Sequence, residues 1–144
     1  MKTLIDWLVN MDKHKNNKNT ESIREYKADI KEEISEKILM QLKRILPGKR
    51  GLLVIKGPNI GDEFYIEKDE FIIGRSPESD VLLDDITVSR KHALLKKDGT
   101  DYRLLDAGSL NGSYLNGNIV EEAIISNGDR IQIGKYIFIY FLIK

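Results

Sequence analysis

Beyond Gly51 the chain breaks into short apolar, β-rich runs: GLLVIKG, EFYIE, EFIIGR, DVLL, HALLKK, YRLLD, RIQIG and YIFIYFLI. Clusters of Gly, Pro, Asn and Asp separate them, such as KGPNIGD, RSPESD, KKDGTD and NGD. This rhythm constrains the fold more than any other feature. Runs of a few residues, each closed by a turn, leave no room for the crossover helices of an α/β fold. The pattern predicts an antiparallel sandwich or barrel. The last run, Tyr136 to Ile143, is apolar throughout and reads as a central strand. Asn116-Gly117 is a strong signal for a two-residue hairpin turn.

The first fifty residues follow a different period. Leu4, Leu8 and Met11 recur at helical spacing, with Ile5 and Trp7 beside them, and predict a short amphipathic helix. The stretch DKHKNNKN has nothing to bury and reads as a flexible linker. A longer helix is predicted from Thr20 to Leu46, about 40 Å in length. Its stripe of Ile23, Tyr26, Ile30, Ile34, Ile38, Leu42 and Ile45 keeps close to the natural helical period. Ser22 with Glu25 fits a capping box, Thr20 is a competing cap, and Pro47-Gly48 ends the helix. The stripe needs a cover, either the β-rich part or a second copy of residues 20–46. The chain thus divides into a helical and flexible extension, residues 1–50, and a β domain, residues 51–144.

What the chain lacks narrows its chemistry. It has no cysteine, so it has no disulfide, thiolate metal site or thiol nucleophile. His14 and His92 are its only histidines, too few for a multi-histidine metal centre. It has no phosphate-binding Gly-rich run ending in Lys-Ser/Thr, no His-Glu-x-x-His and no Gly-x-Ser-x-Gly. No catalytic residue, metal or cofactor is therefore expected. Basic and acidic residues balance at 23 each, which argues against a nucleic-acid partner. The balance is uneven along the chain: residues 1–50 carry 12 basic and 8 acidic side chains, residues 51–144 carry 11 and 15. The two parts would attract one another weakly, subject to screening by salt. No segment reaches the roughly 18 apolar residues of a membrane helix. The opening MKTLIDWLVN has Asp6 inside its apolar run and lacks a small-residue cleavage site, so the cytoplasm is the expected location.

The informative residues lie between the strands. In order they are Gly74-Arg75, Ser89-Arg90-Lys91-His92, Gly108-Ser109-Leu110-Asn111-Gly112-Ser113 and Asn116-Gly117. A phosphate ester carries nearly two negative charges and three strong acceptor oxygens. Holding it requires guanidinium, hydroxyl or amide donors on loops rigid enough to converge. Arg75, Ser89, Arg90 and Asn111 supply those groups from predicted strand ends. If their loops share one end of the sandwich, they make an anion pocket without enzyme machinery. The ordered set GR, SRxH, a first NG and a second NG closely resembles the forkhead-associated (FHA) family, over roughly residues 51–143. In type it resembles the small bacterial FHA proteins.

That resemblance implies an FHA-like all-β sandwich of two antiparallel sheets, here with an N-terminal α-helical extension. It implies a non-enzymatic adaptor or regulator in Ser/Thr kinase signalling. The partner would be a phosphothreonine-containing protein, such as a Ser/Thr kinase or its substrate. By the same resemblance Arg75 and Ser89 contact the phosphate, Arg90 adds positive charge, and Asn111 holds the peptide backbone beside the phosphothreonine. His92 braces the binding loop, and Gly74, Gly112, Asn116 and Gly117 form turns. Two positions depart from the family pattern. Leu110 stands where Thr is common, and Ser113 replaces the usual Thr after Asn-Gly. The first change removes a hydrogen bond worth about 1.5–3 kcal/mol to a charged group, while Leu110 is placed to line a niche for the threonine methyl. Some bacterial members carry a phosphorylatable threonine in an N-terminal tail that occupies their own pocket. Thr20, with Ile23 three residues after it, is the matching candidate. The alternative reading is a phospho-independent scaffold that assembles through residues 20–46.

Overall fold

The computed structural model describes residues 36–144. The helix predicted around residues 4–11, the DKHKNNKN linker, Thr20 and the stripe from Ile23 to Ile34 lie outside the described residues. Of the predicted long helix the last part is seen, as α1 Glu36–Arg44. It stops short of Pro47, as the sequence predicts, since proline disfavours helical backbone at the residue before it. Gly48 then takes a φ of 88° and turns the chain into the sandwich.

Eleven strands follow: β1 Arg50–Lys56, β2 Glu63–Tyr65, β3 Glu70–Gly74, β4 Val81–Leu82, β5 Ala93–Asp98, β6 Asp101–Asp106, β7 Ser113–Leu115, β8 Asn118–Val120, β9 Glu122–Ile125, β10 Arg130–Ile133 and β11 Tyr136–Leu142. They form a six-stranded sheet in the order β2-β1-β11-β10-β7-β8 and a five-stranded sheet in the order β4-β3-β5-β6-β9. The sandwich is the expected one, with one local exception. The two-residue β4 runs parallel to β3, pairing Ile73 with Val81 and Gly74 with Leu82. Asp80 makes this possible by closing the intervening loop: its N–H donates to Ile72 O at 2.8 Å and its carboxylate accepts the Ile72 N–H at 2.8 Å. The Asn116-Gly117 turn is also as expected, with φ of 51° and 85° and Leu115 paired to Asn118.

The apolar runs of β1 and β11 have a physical cause. β11 is an interior strand, and the two strands are covered on both faces. Leu52, Val54, Phe138 and Tyr140 face the five-stranded sheet and join Phe71, Leu95 and Leu104 in the main core. Leu53, Ile55, Ile137, Ile139 and Phe141 face the other way, into a second cluster closed by Ile38, Leu42 and Ile45 of α1 and the stretch after it. The described part of the stripe therefore packs on the chain's own sheet. Burying each of these three side chains contributes about 1.5–3 kcal/mol. Gln41 pins the helix further by donating to Gly61 O at 2.6 Å. No helix among the described residues is long and apolar enough to cross a membrane.

Candidate functional site

Antiparallel pairing puts three strand ends in one row, since Ile73 of β3 pairs with Ala93 of β5, and Ala93 with Asp106 of β6. The loops that leave these ends therefore share one end of the sandwich: residues 75–80, 83–92 and 107–112. Gly74 lets the first two touch. A Cβ there would lie 2.1 Å from Arg90 O, so no larger residue fits. Arg75 N–H donates to Ser89 O and Ser76 N–H to Arg90 O, each at 3.0 Å.

The side chains interlock. Arg75 Nε donates to Val88 O at 3.1 Å, which aims the guanidinium and leaves both Nη groups for a ligand. Ser89 Oγ accepts the Leu110 N–H at 3.0 Å. A hydroxyl used in that way still has its own proton to donate. Asn111 Nδ2 donates to Thr87 O at 3.1 Å, leaving its Oδ1 and second N–H outward. Arg75, Arg90 and Lys91 are exposed, and no ion pair neutralises them among the described residues. Three exposed cations thus stand at this end of the sandwich with hydroxyl, amide and guanidinium donors. This end can hold a tetrahedral dianion.

His92 lies fully buried behind the loops. Its Nδ1 accepts the Ser89 N–H at 3.0 Å and its Nε2 donates to Gly112 O at 2.8 Å. One ring therefore joins the loop bearing Ser89 to the loop bearing Asn111. Leu110 takes part through its backbone, whereas its side chain is 90 % exposed. Gly112 turns the chain with a φ of 86°. Asn116 and Gly117 lie apart from these loops, at the far end of β7. There Asn116 accepts the Arg130 N–H at 2.8 Å and donates to Asp129 at 3.1 Å, so it fixes the approach to β10.

One organiser escaped the sequence reading. Asp106, at the end of β6, accepts the N–H groups of Gly108 and Ser109 at 3.1 and 3.0 Å and the hydroxyls of Ser109 and Ser113. Burial alone would raise its pKa, but these bonds outweigh burial and hold the carboxyl below its ordinary value. The signal was present: an Asp followed two and three residues later by Gly and Ser commonly caps its own turn.

Comparison with known proteins agrees with this architecture. Residues 53–141 match the family described as "Inner membrane component of T3SS, cytoplasmic domain". The chain is 46 % identical over 96 residues to the oxoglutarate dehydrogenase inhibitor of Corynebacterium jeikeium, covering 66 % of this chain and 67 % of that one. It is 45 % identical over 96 residues to the glycogen accumulation regulator GarA of Mycolicibacterium smegmatis, covering 66 % and 61 %. Among solved structures, an FHA domain studied for phosphothreonine-dependent interactions superposes with a TM-score of 0.61 at 28 % identity, over 67 % of this chain and 98 % of that one. The FHA domain of FhaA, complexed with the intracellular domain of Rv3910, gives a TM-score of 0.58 at 30 % identity, over 63 % and 98 %. With two such sheets, these loops and these relatives, the chain belongs to the forkhead-associated domain family.

Proposed function

We propose that the chain is a phosphothreonine-peptide reader that acts by binding and not by catalysis. One observation carries the reading. Arg75, Ser89 and Asn111 come from three loops, are tied together through residues 87–89, 92 and 110, and each keeps a donor for a ligand. In this reading Arg75 and Ser89 take the phosphate, Arg90 adds charge, and Asn111 holds the peptide backbone. Residues 51–144 form the binding domain and residues 1–50 the extension, whose Ile38, Leu42 and Ile45 complete the second core. The similar proteins named as an inhibitor and a regulator, and the FhaA domain complexed with another protein's intracellular domain, support an adaptor or regulator. The partner is a phosphothreonine-containing protein, such as a Ser/Thr kinase or its substrate. Thr20 is the candidate ligand in cis. Its phosphorylation is expected to weaken binding of an external phosphopeptide, and unchanged affinity would reject that part.

The test is titration of a degenerate phosphothreonine peptide library against the full chain. Binding that phosphatase treatment removes, and that Arg75→Ala loses, is the expected result. Binding indifferent to phosphatase, together with concentration-dependent self-association, would replace this reading with the scaffold. Burial of Ile38, Leu42 and Ile45 on the chain's own sheet favours the reader, because that part of the stripe is already covered.

A further inference from the structure

A second set of contacts stands behind the loops of the site. Three consecutive carbonyls, those of Thr87, Val88 and Ser89, accept from Asn111 Nδ2, Arg75 Nε and Arg75 N–H in turn. The placement of residues 87–89 therefore decides where the amide and the guanidinium stand. This stretch belongs to no strand or helix, so no ladder of backbone bonds sets it.

Asp85 sets its first two residues, while His92 holds Ser89. Its Oδ2 accepts the Thr87 N–H at 2.9 Å and the Thr87 hydroxyl, and its backbone carbonyl accepts the Val88 N–H at 3.0 Å. Its Oδ1 pairs with Lys135 Nζ at 2.7 Å. The Thr87 hydroxyl in turn accepts the Lys135 N–H at 3.1 Å. Gly134 closes the approach, since a Cβ there would meet Thr87 Oγ1 at 2.4 Å. The carboxylate is only 11 % exposed although it stands in a surface loop. Gly134 and Lys135 form the β10–β11 turn of the six-stranded sheet, whereas Arg75 follows a strand of the five-stranded sheet. The contacts therefore lock the recognition loop across the sandwich.

We propose that Asp85 and Thr87 are positioning residues for the phosphopeptide site, setting Asn111 and Arg75 through the carbonyls of residues 87 and 88 and anchored on the turn at Lys135. The proposal rests on the phosphothreonine reading above. The Thr87 hydroxyl must donate and accept at once, which serine also does and valine does not.

The experiment uses the full chain, a phosphothreonine peptide selected from the degenerate library by the unaltered protein, and the variants Thr87→Val, Thr87→Ser and Asp85→Asn. Thr87→Val and Asp85→Asn are expected to bind about tenfold more weakly while folded at the assay temperature, as when an outer-shell partner is lost, and Thr87→Ser to stay within about twofold. In the ligand-free protein the side-chain ¹⁵N resonances of Asn111 Nδ2 and Arg75 Nε should move in the first two variants and not in the third. Full affinity in folded Thr87→Val, or unmoved resonances, would overturn the proposal. So would a Thr87→Ser variant as weak as Thr87→Val. Should Thr87→Val not fold, the isosteric Asp85→Asn decides by the same criteria. If the unaltered chain binds no phosphothreonine peptide, the site reading falls by itself. The ligand-free resonances still decide whether Asp85 and Thr87 place the two side chains.

Discussion

Arg75 and Ser89 each spend one side-chain contact on the protein and hold others in reserve, so their removal separates binding from folding. Arg75→Ala or Ser89→Ala is expected to weaken a phosphothreonine peptide by about 10- to 100-fold, the worth of one charge-assisted hydrogen bond. The melting temperature should stay within about 2 °C, well inside the shift that 1 kcal/mol produces in such a domain. A variant that still binds at full strength would remove that residue from the phosphate site. His92 behaves differently because it is buried and bonded at both ring nitrogens. His92→Ala leaves Ser89 N–H and Gly112 O unpaired beside a cavity and should cost about 2–5 kcal/mol. Calorimetry should therefore show a loss of stability together with the loss of binding; an unchanged melting temperature would refute the bracing role. Discrimination of phosphothreonine from phosphoserine rests on one methyl, about 1 kcal/mol by burial alone, so matched peptides should differ at least several-fold. These candidate site residues stood out because each is a chemically distinctive group in a short motif. Asp106 and Thr87 were not, because an Asp or Thr in a loop means nothing until the donors around it are placed.

The elements were legible in proportion to how much they bury. β1 and β11 announce themselves through unbroken apolar runs. β9 does not, because its stretch Glu122–Ile125 alternates between the sandwich and the surface at the sheet's edge. β7 and β8 were visible only through the turn between them. The helix α1 shows the element scale at work: Leu42 is almost fully buried against the outer face of the six-stranded sheet. Leu42→Ala should cost about 2–5 kcal/mol in urea unfolding. The same variant should leave phosphopeptide affinity within about twofold, because the site lies at the end of the sandwich while α1 covers a face. A large loss of affinity in a folded Leu42→Ala protein would mean that the helix and the loops are coupled.

At the scale of the whole molecule, the loops and the acid side of the stability curve are linked. Hydrogen bonds from Lys135 and Thr87 hold Asp85 down to about 2, and serine hydroxyls with backbone N–H groups hold Asp106 below its ordinary value despite its burial. A carboxyl whose folded pKa is depressed stabilises the fold above its unfolded value and loses that stabilisation as pH falls through the folded one. Asp129 works in the opposite sense: burial raises its pKa, outweighing its bonds with Asn116 and Ser126, so protonation favours the folded form there. The urea midpoint should therefore fall between pH about 4 and about 2, and Asp106→Asn should flatten that fall. A fall just as steep in Asp106→Asn would show that this carboxylate does not support the fold. The sequence by itself determined the class of fold, because turn chemistry and the length of apolar runs are local properties that neighbouring residues settle among themselves. It also determined the order of the motif residues, and hence the kind of ligand proposed. Only the tertiary structure decided that Ile38, Leu42 and Ile45 cover β1 and β11, that β4 runs parallel to β3, and that Asp85, Thr87 and Lys135 meet. Those outcomes depend on register and on contacts between residues far apart in the chain, where a carboxylate or a hydroxyl acquires a role from the groups brought up to it and not from its neighbours in sequence.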